Sequence, residues 1–425
     1  MSLEALKKDV ASAVDAIAEE LLSLSHAIHQ EPELALNEFK AAERLTAAVE
    51  AHGLPVQRAA FGLETAYVSE FGSSGGPEIA ILSEYDALPG VGHACGHNII
   101  ATSGLGAALA LAKLGGKLPG QVRYLGTPAE ERFGGKEIMA RAGAFDRLDA
   151  AMMMHPSNLD LATMPCIAIS EVEATYYGRA AHAAAMPYRG LNALDAVVTA
   201  YQTIAQLRQH IRQSERIHGI ITDGGLAANI VPEKAACRFY VRAGDIHELM
   251  KLKARVQACF EAGALATGCR LELQWGNTDY LDLKTNWPMA GAFERNATEL
   301  GREFFPIKDI PPGFAGSTDM GNVSHRVASI HPMLAVAPAG VIIHNAEFAT
   351  WAASEKGDMA VIDGAKALAQ TALDLMCDTA LAERVKSDFA ATSDLSQRAL
   401  AKLQELSPSA HSPVHEHSHG GCGCA

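Results

Sequence analysis

The sequence has no uninterrupted run of about twenty apolar residues, which is the length that a membrane-spanning helix needs. Its first thirty residues alternate apolar and charged side chains and lack the continuous apolar core and cleavage site of a signal peptide. The eight cysteines are scattered, apart from the pair Cys422 and Cys424, and do not form the pattern of a disulfide framework. We therefore expect a soluble, cytoplasmic protein.

The sequence also has fewer basic than acidic residues. The chain has 35 Lys and Arg against 49 Asp and Glu, which gives a formal net charge of −14. This balance argues against nucleic acid or an anionic membrane surface as the main partner. Hydrophobic residues make up 48% and charged residues 20%, as in a well-packed globular enzyme. A chain of 425 residues is longer than one typical core, so we expect two domains.

Residues 83–98 form the most informative stretch. An apolar strand is predicted before it, over residues 79–82, and an apolar helix after it, over residues 99–114. Two carboxylates, two imidazoles and a thiol lie between them, on Glu84, Asp86, His93, Cys95 and His97. These groups are the usual protein ligands of zinc and related metals. A polar loop with a buried cysteine would explain one of these groups, but hardly all five together.

Two later strand ends carry groups of the same kind. The predicted strand 121–126 leads to Glu130 and Glu131, and adjacent carboxylates repel each other unless a cation or a shared proton lies between them. A solvated acidic pair at a helix start explains these two residues equally well when they are taken alone. The predicted strand 150–154 delivers His155, which in isolation is better explained as a core residue. Because open parallel sheets collect sites at one edge, the three points together favour a metal site.

The pattern changes near residue 168, where strands and long helices follow in the order β-α-β-β-α-β. This order predicts a ferredoxin-like α+β domain inserted in an α/β domain. We place the two parts of the catalytic domain at residues 1–169 and 285–400, and the insert at residues 170–284. Residues 401–425, rich in His and Cys, are predicted to be a disordered tail that could bind or deliver a metal or have no function.

The chain resembles the dinuclear metallohydrolases that include aminoacylases, carboxypeptidase G, carnosine-type dipeptidases, auxin-conjugate hydrolases and aminobenzoyl-glutamate hydrolases. The resemblance implies a zinc-exopeptidase-like catalytic domain with a mostly parallel central sheet. The Cys-Gly-His and Gly-Ser-Thr-Asp phrases are nearest the aminobenzoyl-glutamate hydrolase and β-alanyl dipeptidase-like branch. The matching motifs extend over nearly the whole chain except the tail, at residues 86–89, 93–97, 128–131, 178–184, 228–232, 316–319 and 344–348.

This resemblance implies a role for each motif residue. Glu130 would be the general base, Asp86 would orient a metal-binding side chain, and His182 would reach the substrate, in relatives often across a dimer interface. Two divalent ions (zinc, manganese or cobalt) would be held by Cys95, His97, Glu131, His155 and His344. Substrate binding would involve Asn229, Arg242, Ser317 and Asp319. The resemblance also implies that the insert is a lid or dimerisation domain of the catalytic domain, so we expect a homodimer formed through it.

The implied reaction is hydrolysis of the amide bond of an N-acyl or N-aroyl amino acid or a dipeptide, by a metal-bound hydroxide with Glu130 as base. Two departures concern the metal: Glu84 stands where many relatives have a histidine, and Asn98 stands where an aspartate usually follows Cys-Gly-His. Two other functions are open, a metal-binding or storage protein acting through the tail, and a non-catalytic peptide-binding relative. The pair of Glu130 and Glu131 argues against the second, because a binder needs no base.

Overall fold

The structure is a computed structural model that describes residues 2–310 and 315–406. The part before the insert consists of helices and strands in this order: α1 (Leu3–Ala16), α2 (Ala18–Gln30), α3 (Phe39–Ala51), β1 (Gln57–Arg58), β2 (Tyr67–Gly72), β3 (Glu78–Ser83), α4 (His97–Ala112), β4 (Gln121–Gly126), α5 (Gly135–Arg141), β5 (Ala150–Met152) and β6 (His155–Ser157). The insert follows with β7 (Ala168–Tyr177), α6 (Ala193–Leu207), β8 (Arg216–Asp223), β9 (Lys234–Ala243), α7 (Ile246–Thr267) and β10 (Arg270–Trp275). The chain then returns with α8 (Trp287–Glu299), α9 (Met320–Ser324), β11 (Ser329–Ile330), β12 (Met333–Ala335), α10 (Ala346–Ala352), α11 (Glu355–Cys377), α12 (Thr379–Ala390) and α13 (Ser393–Leu406).

A six-stranded mixed sheet forms the centre of the catalytic part, in the order β1-β2-β4-β3-β5-β11. The four strands from β4 to β11 pair in parallel, whereas β1 and β2 are antiparallel additions at one edge. Helix α4 packs on this sheet and is buried along almost its whole length, because its residues are nearly all apolar or small. The predicted α/β fold class is confirmed.

The insert has its own antiparallel sheet, in the order β10-β7-β9-β8. Strand β7 alternates buried and half-buried residues, which is the pattern of a sheet with one covered face. Helices α6 and α7 cover that face and bury Phe239 and Phe260 between the layers. The predicted β-α-β-β-α-β order is therefore confirmed, while the borders at residues 169/170 and 284/285 stay predictions.

Two local predictions need correction. The predicted strand 150–154 is interrupted, since β5 ends at Met152 and His155 begins the separate strand β6, which pairs with β12 outside the central sheet. Residues 401–406, assigned to the tail, continue helix α13, because Leu403 finds a fully buried apolar position against the insert. The rest of the predicted tail lies outside the described residues. Within the described ranges, no helix is both long and apolar enough to cross a membrane.

Candidate metal centre

The predicted ligands are carried to one place by neighbouring strands. Cys95 and His97 lie between β3 and the first turn of α4, Glu131 follows β4, and His155 begins β6 just after β5. Because β3 pairs in parallel with both β4 and β5, the carboxyl ends of these strands lie side by side. His344 joins them from the segment between β12 and α10.

Gly96 allows the Cys-Gly-His motif to approach the segment of His155. Its φ of +81° lies in the left-handed region, where glycine carries no steric cost. A Cβ atom at this position would lie 2.5 Å from Cγ of Pro156, the residue after His155. A side chain at position 96 would therefore push apart two segments that carry ligands.

The ligand atoms of the five predicted residues converge. Sγ of Cys95 lies 3.3 Å from Nε2 of His155 and 3.3 Å from Nε2 of His344. Oε1 of Glu131 lies 3.6 Å from Nε2 of His344 and 3.8 Å from Nε2 of His97. Two groups have ligand atoms that all lie within 4.8 Å of one another, namely Cys95, His97 and His155, and Cys95, Glu131 and His344. Cys95 belongs to both groups, and two adjacent ions would need a ligand that is shared in this way.

These residues fit divalent cations. Nε2 of His97 and Oε1 of Glu131 are buried and have no hydrogen-bond partner in the described parts of the chain. A buried polar atom without a partner costs about 1–3 kcal/mol, and a bound cation would remove that cost. Thiolate, imidazole and carboxylate together are the donor set of zinc and related ions. The site thus has both the unsatisfied atoms and the chemistry of a metal centre.

Burial shifts the pKa values of four of the five ligands, all except His97, towards their neutral forms. Burial raises the pKa of Glu131 to about 7 and raises the pKa of the Cys95 thiol well above its usual value. Burial lowers the pKa of His155 and of His344 to about 4, so both imidazoles are neutral, which is their ligand form. A cation at this place would displace protons from Glu131 and Cys95, so its affinity is linked to pH.

Backbone strain surrounds the ligands. Ala129, Phe133 and His344 are not glycines but have φ values of +62°, +79° and +68°. Each such residue costs on the order of 1–3 kcal/mol, and residues of this kind cluster at functional sites. The buried Glu38 supports the first of them, since Oε1 accepts the backbone N–H of Ala129 at 2.9 Å. Sequence reasoning missed Glu38, because nothing local marks it apart from an ordinary exposed acid.

Asp86 and Glu130 both lie beside His97. Oδ1 of Asp86 lies 3.1 Å from Nδ1 of His97, and Oδ2 accepts the backbone N–H of Glu131 at 2.9 Å. Asp86 therefore contacts two of the predicted ligands and can orient both. Glu130 Oε2 lies 4.0 Å from Nε2 of His97. Burial, together with the nearby carboxylates of Glu84 and Glu131, raises the pKa of Glu130 well above its usual value.

Glu84, Lys136 and Asp319 form a buried charged group beside these ligands, which sequence reasoning missed. Nζ of Lys136 lies 2.5 Å from Oε2 of Glu84 and 2.7 Å from Oδ1 of Asp319. Oδ2 of Asp319 accepts the backbone N–H of Lys136 at 2.8 Å. Both oxygens of Asp319 thus contact Lys136, and the predicted substrate-binding role of Asp319 stays a prediction. The available signal was Glu84 itself, an acid placed directly after a buried strand.

Arg242 and Ser317, both predicted substrate-binding residues, are in contact, although Arg242 lies in the insert and Ser317 in the segment before α9. Nη1 of Arg242, on β9 of the insert, donates to Oγ of Ser317 at 2.9 Å. Ser317 in turn donates to the carbonyl of Ile167 at 2.7 Å. Burial is the largest cause of the lowered pKa of His344, followed by the charge of His97 and then by that of Arg242. The guanidinium of Arg242 is therefore close enough to act on the ligand group.

His182 and Asn229 form a separate exposed pair in the insert. The backbone N–H of Ala183 donates to the carbonyl of Asn229 at 3.0 Å. Nδ1 of His182 accepts from the backbone N–H groups of Ala184 and Ala185, at 3.3 and 3.1 Å. These bonds assign the proton to Nε2, which faces away from them as a donor. None of these hydrogen bonds reaches the ligand group of the same chain.

Comparisons with known proteins show what this chain is similar to. A family model described as Peptidase family M20/M25/M40 matches residues 80–374. The chain is 42% identical over 400 residues to the Xaa-Arg dipeptidase of Mus musculus, covering 91% of this chain and 93% of that relative. It is 26% identical over 464 residues to a p-aminobenzoyl-glutamate hydrolase chain of Escherichia coli strain K12, with coverage of 92% and 96%.

A solved structure has the same fold. A dinuclear metal-binding peptidase of the M20 family from Bacillus subtilis matches with a TM-score of 0.63 at 20% identity, covering 85% of this chain and 99% of that chain. At this identity the likeness shows the fold alone. The family model, however, spans more than half of the sequence, and the mouse relative is well above 30% identical over nearly the full length of both proteins. The chain therefore belongs to peptidase family M20/M25/M40 and is a metal-dependent hydrolase.

Proposed function

We propose that this protein is a dipeptidase or N-acyl amino acid amidohydrolase that uses two divalent ions, with Glu130 as its general base. The observation that carries the proposal is the convergence of five candidate metal ligands beside the buried carboxylate of Glu130. The names of the relatives, an Xaa-Arg dipeptidase and an aminobenzoyl-glutamate hydrolase, support a substrate with an amide bond to an amino acid.

Glu130 has the surroundings of a proton acceptor and donor. Bound divalent ions would lower the pKa of a water and polarise the amide carbonyl. Glu130 would take a proton from the attacking water and return it to the leaving amine nitrogen. The hydroxyl of Tyr280 donates to the backbone carbonyl of Glu130 at 2.7 Å, which holds this residue in place. The metal-ligand role belongs to the neighbouring Glu131, so the two acids have separate tasks.

Arg242 supplies the charge that a free amino acid carboxylate needs. Its guanidinium is half-buried and keeps a polar partner in Ser317, which fixes one of its N–H groups. The other N–H groups can pair with a carboxylate, and such pairs are strong where water is partly excluded. We therefore place the carboxylate of the released amino acid at Arg242 and Ser317, and the scissile carbonyl next to the ligand group.

The insert would complete the site through a second copy of the chain. Strand β8 is an edge strand, and it leaves Ile220 64% exposed and Ile221 44% exposed, which is unfavourable in water. Pairing of this edge with its copy would engage the free backbone groups and give both side chains cross-strand neighbours. The Nε2–H of His182, with Asn229 beside it, would then be available to the carbonyl oxygen in the partner's site, where a donor stabilises developing negative charge.

The test is an assay of liberated amino acid over a panel of N-acyl amino acids and dipeptides, with Xaa-Arg dipeptides included. The enzyme would be reconstituted with zinc, manganese or cobalt, and its metal content measured. We expect hydrolysis of at least one class, and a loss of about 10²–10⁴-fold in turnover for Glu130→Gln with unchanged metal content. A Glu130→Gln protein with wild-type turnover would remove the proposed base, and metal loss in this variant would make Glu130 a ligand.

A further inference from the structure

Tyr280 lies in the segment that leads from β10, the last strand of the insert, back to the catalytic part. Its side chain contacts the turn 130–134, which carries the proposed base. The hydroxyl donates to the backbone carbonyl of Glu130 at 2.7 Å. The ring lies against Gly134, where an added Cβ atom would meet Cε1 of Tyr280 at 2.9 Å. Tyr280 therefore contacts both ends of this turn.

The turn has a backbone conformation that its sequence does not favour. Ala129, directly before it, and Phe133, within it, have φ values of +62° and +79° although neither is a glycine. Such residues persist only where the surrounding contacts fix them. Glu38 contacts the backbone before the turn, and the Tyr280 hydroxyl contacts the backbone of Glu130 itself. The position of Glu130 thus depends on where Tyr280 is held.

The backbone of Tyr280 is connected to Arg242 through one residue of the insert. Tyr280 and Ile169 of β7 exchange two backbone hydrogen bonds, both of 3.0 Å. On its other side, Ile169 lies opposite Arg242 of β9 in the antiparallel register. Residues directly opposite each other in antiparallel strands project their side chains to the same face. The row of Arg242, Ile169 and Tyr280 therefore presents its side chains on one face, the face that α6 and α7 leave uncovered.

This row contacts the catalytic part at two places. At one end Arg242 donates to Ser317 at 2.9 Å, and at the other end Tyr280 donates to Glu130. Neighbouring strands are held about 4.8 Å apart by their hydrogen bonds, so a displacement of one end of the row also displaces the other. A carboxylate bound at Arg242 would therefore act on the backbone from which the Glu130 side chain projects.

The Tyr280 hydroxyl is a permanent donor. Burial raises the pKa of Tyr280 well above its usual value, so the hydroxyl keeps its proton throughout the range in which the enzyme would work. A tyrosine that only fills space is the alternative, and Tyr176 is an example within the insert. The hydroxyl of Tyr176 donates to the backbone carbonyl of Phe260 at 2.9 Å, inside the core of the insert. Tyr176 therefore provides a matched control.

We propose that Tyr280 is a positioning residue that couples the binding of the substrate carboxylate at Arg242 to the placement of the base Glu130. This inference rests on the proposed function, in which Arg242 and Glu130 have those roles. A substrate that engages Arg242 fixes the row of three residues, and the row fixes the backbone of Glu130 through the Tyr280 hydroxyl. Part of the binding energy of the carboxylate then raises kcat instead of lowering KM.

The first measurement compares Ala-Arg with its C-terminal amide, which lacks the carboxylate charge, in full-length protein reconstituted with metal. We expect the wild type to have a kcat about 10-fold or more lower for the amide, because the carboxylate acts on the base. In Tyr280→Phe, kcat for Ala-Arg should fall close to the value for the amide, with KM within about threefold of the wild type and metal content unchanged. Tyr176→Phe should keep the full wild-type difference between the two substrates.

The second measurement does not depend on activity. Amide hydrogen exchange of peptides that cover residues 129–135 is recorded alone, with free arginine and with argininamide, so that the carboxylate of arginine is the probe for Arg242. We expect arginine to slow this exchange by about fivefold or more in the wild type and in Tyr176→Phe, and not in Tyr280→Phe. Argininamide should not slow it in any of the three proteins.

A wild-type difference between Ala-Arg and its amide in Tyr280→Phe would overturn the inference, as would equal losses in the two Tyr→Phe variants. Wild-type exchange that arginine does not slow would overturn it without any variant, including the case in which Tyr280→Phe does not fold. If the wild type hydrolyses another dipeptide faster than Ala-Arg, that dipeptide and its amide are used in the first measurement. A wild type that hydrolyses no substrate of the panel would contradict the proposed function instead.

Discussion

Glu38 is fully buried, although its place in the sequence suggests an ordinary exposed acid. Its side chain is buried, and its two oxygens accept the backbone N–H of Ala129 and the hydroxyl of Thr65, both at 2.9 Å. It therefore joins the first helical region to the segment that carries Glu130 and Glu131. Burial, and secondly the charge of Asp86, raise the pKa of Glu38 to about 7.

This raised pKa predicts a specific pH dependence of stability in the metal-free protein. Between about pH 4.5 and 7 the folded state keeps the proton on Glu38 while the unfolded state has lost it, so the folded state binds more protons. The free energy of unfolding of the wild type should then fall with rising pH relative to Glu38→Gln, by on the order of 3 kcal/mol between pH 5 and 8. Urea unfolding of both proteins in a chelator would measure this. A pH-independent difference between them would contradict the prediction.

Helix α13 is an element whose last residues, 401–406, the sequence analysis assigned to the tail. Its predecessor α12 packs on α8, and Val385 and Leu381 join the core of the catalytic part. Helix α13 instead packs on α7, and Leu403 and Ala399 join the core of the insert. The C-terminal pair of helices therefore crosses from one domain to the other and contributes to both cores.

Removing the buried contact of α13 should destabilise the protein without altering the metal centre. Leu403→Ala removes a fully buried side chain and should lower the free energy of unfolding by about 2–5 kcal/mol. Leu395→Ala, on the same helix but with a side chain 48% exposed, is the matched control and should change it by less than about 0.5 kcal/mol. Thermal unfolding with measurement of bound metal would test both. Equal effects of the two substitutions would show that α13 does not pack on the insert.

For the whole molecule, the question is whether one chain forms a complete site. His182 is exposed and is not bonded to the ligand group of its own chain, although Arg242 of the same insert reaches Ser317. In the proposed dimer each site receives residues from two inserts: the partner's insert supplies His182, and the chain's own insert supplies Arg242. Such a division is testable without knowledge of the interface geometry.

Heterodimers of two inactive variants should recover activity. A dimer of Glu130→Gln with His182→Ala contains one site with both residues intact if His182 acts on the partner's site. Isolated from co-expression with two different tags, it should have about half the turnover of the wild-type dimer, whereas each homodimer should be lower by about 10²-fold or more. A heterodimer as inactive as its parents would place His182 in the site of its own chain. A wild-type protein that is monomeric in solution would contradict the proposed assembly.

Much of the metal centre could be predicted from the sequence, because its determinants are local. A buried strand, a polar loop and an apolar helix are visible in the order of residues, and parallel strands bring their carboxyl ends to one edge. Cys95, Glu131 and His155 each follow this rule, and the structure brings their ligand atoms together with those of His97 and His344.

The tertiary structure alone decided which distant groups meet. Asp319 lies 183 positions from Lys136, and no periodicity or motif in the sequence predicts that Lys136 donates to both carboxylate oxygens of Asp319. The open oxygen of Glu84, the support that Glu38 gives to Ala129, and the position of Leu403 in the insert are contacts of the same kind. The sequence by itself determined the elements, the ligand types and their common edge. The pairing of buried charges depends on packing between segments far apart in the chain, and only the folded molecule specifies it.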